Sequence, residues 1–98
     1  MLKTVIEYTA FIKKADKIFG AEECEEIVSF LSETPKAGKE LENFGGIRKL
    51  QWKNNTEYNI YFHPGTKNLP LVVIAIFRKG EKLIFNKIVE ILIHSKIG

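Results

Sequence analysis

This sequence predicts an α+β fold with element order β-α-α-β-β-β-α. Three observations carry the prediction. Two helical periodicities lie before residue 35, three strand patterns lie between residues 47 and 77, and a last helical pattern closes the chain. Tight turns between the strands imply an antiparallel meander. Helices gathered ahead of that meander should pack as a pair on one face of a small antiparallel sheet, leaving the other face partly open. Ninety-eight residues make one small domain spanning 1–98.

Each element has its own signal. Lys3 to Tyr8 reads as a short strand anchored by Val5. Thr9 is the expected N-cap of the first helix, whose apolar positions are Phe11, Ile12, Ala15, Ile18 and Phe19. Gly20 should end it. Glu22, Glu23, Glu25 and Glu26 then crowd a first turn, where the helix dipole favours negative charge. Cys24, Ile27, Val28 and Leu31 form one apolar stripe on this second helix, and Pro35 stops it.

The strands follow. Ile47 to Lys53 alternates Arg48, Leu50 and Trp52 against Lys49, Gln51 and Lys53. Asn54-Asn55 is a turn. Glu57 to His63 sets Tyr58, Ile60 and Phe62 against Asn59, Tyr61 and His63. Leu71 to Phe77 is continuously apolar, as in an interior strand covered on both faces. Leu83 to Ile97 reads as the last helix, with Ile84, Ile88, Ile91 and Leu92 on one side.

Composition narrows the function. Apolar residues make up 45% of the chain and charged residues 28%, ordinary for a folded domain and not for a disordered one. The net charge of +3 is unevenly spread. Residues 1–46 hold six cations and nine acids, whereas residues 47–98 hold nine cations and three acids, a local +6. A one-sided positive field concentrates polyanions. Cys24 is the lone cysteine, so no intrachain disulfide forms. The apolar run Leu71 to Phe77 is too short to span a bilayer, so no membrane partner is expected. Lys3 and Glu7 interrupt any leader-like apolar stretch, which makes the cytoplasm the expected location. Two histidines and one cysteine, widely separated, give no metal-ligand spacing, so neither metal nor cofactor is expected.

Chemistry is expected on the polar side of the second and third strands. Lys49, Gln51, Lys53, Asn59, Tyr61 and His63 share that alternation class, and Lys79 and Lys82 follow just beyond the interior strand. Such a cluster suits RNA cleavage without metal. A base takes the 2′-hydroxyl proton, a cation stabilises the phosphorane, and an acid protonates the leaving 5′ oxygen. Ideal alternation aims Arg48 inward, so it reaches RNA only if the strand twists or bulges.

The order of several short motifs carries a family resemblance. Pro35 to Gly38 is followed by Gly45-Gly46-Ile47-Arg48-Lys49, then Ile60-Tyr61-Phe62, then Phe77-Arg78-Lys79-Gly80-Glu81-Lys82 ahead of the last helix. From about Phe11 onward this order resembles the RelE/HigB toxins, the RNA-cleaving halves of bacterial type II toxin–antitoxin pairs. The resemblance implies the same β-α-α-β-β-β-α fold, cleavage of mRNA on the ribosome, and a small antitoxin protein as partner. With it, Lys49, Tyr61, His63, Lys79 and Lys82 become the expected catalytic residues, and Arg48, Gln51, Lys53 and Arg78 the expected RNA contacts. The chain departs from the group in one region. Relatives commonly carry an arginine at the start of the Ile-Tyr strand after a basic, glycine-rich turn. Here the sequence is Asn54-Asn55-Thr56-Glu57-Tyr58. Losing that arginine removes a bidentate phosphate contact and implies weakened cleavage. The alternatives are a catalytically silent module that binds antitoxin or RNA, and a gyrase inhibitor of the related ParE kind.

Overall fold

A computed structural model describes residues 2–94. Its elements are β1 (Val5–Glu7), α1 (Thr9–Phe19), α2 (Ala21–Glu33), β2 (Lys39–Glu40), β3 (Arg48–Leu50), β4 (Tyr58–His63), β5 (Leu71–Arg78) and α3 (Ile84–His94). The five strands form one sheet in the order β1-β5-β4-β3-β2. The fold is α+β as expected, but the sheet is mixed. β1 runs parallel to β5, and the other three pairings are antiparallel. The hydrogen bonds Leu71 N–H to Thr4 O and Tyr8 N–H to Val73 O, both 2.9 Å, bracket the parallel pair. They satisfy the outer edge of the most apolar strand.

Two layers of core form on the two faces of that sheet. On one face α1 and α2 bury Phe11, Ala15, Ile27 and Leu31 against Leu50, Trp52, Ile60, Phe62, Leu71, Val73 and Ile76. Each such large side chain removed from water contributes about 1.5–3 kcal/mol. On the other face α3 packs against β5, and Ile88 joins Ile47, Tyr61, Ile74, Ala75 and Phe77. The second face is therefore partly covered, by the third helix.

A bulge lets β5 serve both layers. Tyr61 lies opposite Ala75 and Phe62 opposite Val73, so Ile74 has no partner on β4. An extra residue of this kind shifts the alternation by one, and Ile74 and Ala75 join the same cluster.

Several boundaries differ from the sequence expectation. Thr9 is the first helical residue and Tyr8 takes the N-cap position without a side-chain cap. β3 stops at Leu50 instead of reaching Lys53, because Lys53 adopts a φ of +50° and turns the chain. β2 is an added strand of two exposed charged residues, too short for periodicity to reveal. The loop before it is held by Gly38. A Cβ there would lie 2.2 Å from the Lys49 carbonyl oxygen, and its φ is +75°, a combination that only glycine tolerates. Leu83 precedes α3 at a φ of +59°, and residues 95–97 of the expected last helix lie outside the described ones.

Candidate nucleic-acid interface

The registers of β2, β3 and β4 build a row across the sheet. Lys39 lies opposite Lys49, and Lys49 opposite Tyr61. Beyond it, an open groove of about 490 Å³ is lined by Lys39, Lys49, Gln51, Asn59 and Lys79, with Gly38 and Gly80 at its margins. Three ammonium groups and two amides thus share one depression, and among the described residues no carboxylate lines it.

Contacts within the groove orient its donors. The Lys79 ammonium donates to Gln51 Oε1, and its backbone N–H donates to the Glu57 carbonyl at 2.9 Å. The Gln51 amide donates in turn to the Lys53 carbonyl at 3.4 Å. Lys39 and Lys49 have no protein partner for their ammonium groups among the described residues. Both remain free for an incoming anion.

Tyr61 sits behind the groove rather than in it. It is 5% exposed, and its ring lies 5.6 Å from Phe77. Burial pushes the phenol's pKa up, and the neighbouring Asn59 amide only partly opposes that shift. Tyr61 is therefore a neutral hydrogen-bonding group, not a tyrosinate base.

The other sequence-expected residues lie elsewhere. His63 is on the same sheet face but lines a separate apolar groove, where its Nδ1 accepts the Gly65 N–H at 3.0 Å. Arg48 faces the helix pair, as alternation predicts. Its Nε donates to Ala37 O at 3.1 Å, and its Nη2 to Lys36 O at 2.9 Å and Gly38 O at 3.1 Å. Glu40 lies 3.5 Å from Nη1, so the guanidinium clamps the 36–40 segment. Lys53 leaves the expected polar face because β3 ends early. It pairs with Glu26 at 2.6 Å and covers the Trp52 ring, and its hydrogen bond to Glu26 raises the ammonium pKa. Arg78 pairs with Glu57 at 2.6 Å and stacks on Tyr58. Lys82 is exposed and has no partner among the described residues. The hydrogen bond from Lys87 holds the Glu81 carboxyl below its ordinary pKa.

Lys39 is the groove residue that sequence reading missed. Only its register opposite Lys49 brings it there, and a two-residue strand carries no pattern. Among the described residues no three His, Cys, Asp or Glu side chains are grouped to hold a metal ion. No helix among them is long and apolar enough to cross a membrane. No known protein family matches this chain, and no curated protein matches it either.

The arrangement has a definite chemical capacity. Ammonium groups in a groove with no carboxylate among its described lining residues attract phosphate oxygens, and amides add directional contacts.

Proposed function

We propose that this chain is an RNA-binding toxin domain of the RelE/HigB kind, which cleaves mRNA on the ribosome slowly and is restrained by an antitoxin protein. The observation that carries the reading is the groove in which Lys39, Lys49 and Lys79 meet with no carboxylate among its described lining residues. In the reaction, the 2′ oxygen forms a bond to the adjacent phosphorus and the bond from phosphorus to the 5′ oxygen breaks. The products are a cyclic phosphate and a 5′-hydroxyl. Lys49 and Lys79 are the residues that meet the phosphorane charge. The Asn59 amide lines the groove beside them. Among the described residues no imidazole lines the groove, so the 2′ proton passes to solvent and the leaving 5′ oxygen takes its proton from solvent. A missing general base typically lowers a rate by about 10²–10⁴, which fits a weak enzyme. The antitoxin fits the acidic start of α2, where Glu22, Glu23 and Glu25 suit a basic segment.

A second reading is a silent module that binds RNA without cutting it. It draws on the placement of His63 outside the groove and the burial of Tyr61.

Induced expression in a bacterium separates the readings. Growth arrest with mRNA cut on ribosomes, reversed by a co-expressed antitoxin, supports the toxin. Retained RNA binding with neither arrest nor cleavage supports the silent module. Arrest with DNA-damage signalling and intact mRNA overturns both in favour of gyrase poisoning.

A further inference from the structure

A second groove lies on the same sheet face, under α3, and the proposed function does not use it. Its volume is about 420 Å³, within the range of small-molecule sites. Val72, Ile74, Phe85, Ile88 and Leu92 give it an apolar wall, and among the described residues the lining side chains with polar hydrogen-bonding groups are those of Tyr8 and His63.

Both polar groups are donors awaiting an acceptor. His63 Nδ1 accepts the Gly65 N–H, so the neutral imidazole carries its proton on Nε2. The ring edge lies against Gly46. A Cβ at Gly46 would lie 2.9 Å from Nε2. Neither Nε2 nor the Tyr8 hydroxyl has a protein partner among the described residues. The strand registers put His63 opposite Val72, and the Tyr8 backbone N–H binds the carbonyl of Val73. The two donors therefore flank β5 from its two neighbouring strands. Among the described residues no lining side chain is an acid, an amide or an aliphatic hydroxyl, which leaves the acceptor to the ligand. The +6 balance of residues 47–98 favours an anionic one.

The geometry points to a binding site for an amphipathic monocarboxylate, a medium-chain acyl anion whose tail lies under α3 and whose carboxylate meets His63 and Tyr8. Two of its apolar walls, Phe85 and Leu92, are 49% and 43% exposed. An acyl tail would cover them.

Decanoate, titrated below its micellar concentration into ¹⁵N-labelled protein, tests the site. The expected result is saturable one-to-one binding, with shifts confined to the groove. Tyr8→Phe and His63→Phe should each weaken it about tenfold, the effect typical of removing a hydrogen bond to a charged group. Leu92→Trp, at a half-exposed position, should fill the groove and abolish binding. If His63→Phe unfolds because it can no longer hold Gly65, Tyr8→Phe alone decides. Absence of saturable binding would overturn the proposal. So would decanol binding as tightly as decanoate, or Tyr8→Phe binding like wild type. Shielding of Phe85 and Leu92 by a co-purified protein, with no decanoate binding, would reassign the groove to protein docking.

Discussion

Arg48 illustrates how a single side chain divides between structure and function. Alternation placed it on the helix side of β3, and there its guanidinium meets the carbonyls of Lys36, Ala37 and Gly38. Hydrogen bonds from a charged donor contribute about 1.5–3 kcal/mol, and an arginine fork satisfies several acceptors at once. Arg48→Ala should therefore destabilise the fold by about that amount in urea denaturation, and Arg48→Lys should recover little of it. RNA affinity of the folded fraction should fall less than in Lys49→Ala/Lys79→Ala, because Arg48 acts only by holding the segment that carries Lys39. An Arg48→Ala protein of wild-type stability with reduced RNA affinity would return this residue to the RNA contacts. The direction of this side chain was legible from alternation alone. The loop it meets was not, because the close approach of that loop depends on Gly38.

Among the elements, α3 controls the environment of Tyr61. Ile88 packs in the same cluster as the phenol ring, and that burial raises the phenol's pKa above the ordinary value of about 10. The folded state thus favours the protonated phenol. The corresponding stability is fully present below about pH 10 and is lost as pH rises through the folded pKa. Ile88→Ala should cost about 2–5 kcal/mol through the cavity it leaves. In an ultraviolet difference titration it should also bring Tyr61 back toward its ordinary value. A phenol that stays elevated in Ile88→Ala would show that α3 is not what buries it. The elements themselves were unequally legible. The apolar run of β5 and the stripes of α1 and α2 were strong signals because burial on one or both faces writes them directly. The two residues of β2, the bulge at Ile74 and the early end of β3 were not, since each is set by partners distant in sequence. That last difference moved Lys53 from the expected polar face to Glu26 on α2.

For the whole molecule, the sheet separates two kinds of surface. One face carries the helix pair, with the acidic start of α2. The other carries the lysine groove beside the cover provided by α3. The excess of cations after residue 46 made a polyanion partner the expectation, and alternation announced Lys49, Gln51 and Asn59 as neighbours. Lys39 and the exclusion of His63 required the folded registers. The central claim is that this groove, and not the basic surface in general, grips RNA. It is tested most directly by single-stranded RNA affinity as a function of salt for wild type, Lys49→Ala/Lys79→Ala and Lys53→Ala. Removing one lysine–phosphate pairing should flatten the log–log salt slope by about 0.7. The double variant should bind at least about tenfold more weakly, with a slope shallower by about 1.4, while Lys53→Ala matches wild type. An unchanged slope in the double variant, or an equal weakening in Lys53→Ala, would contradict the claim.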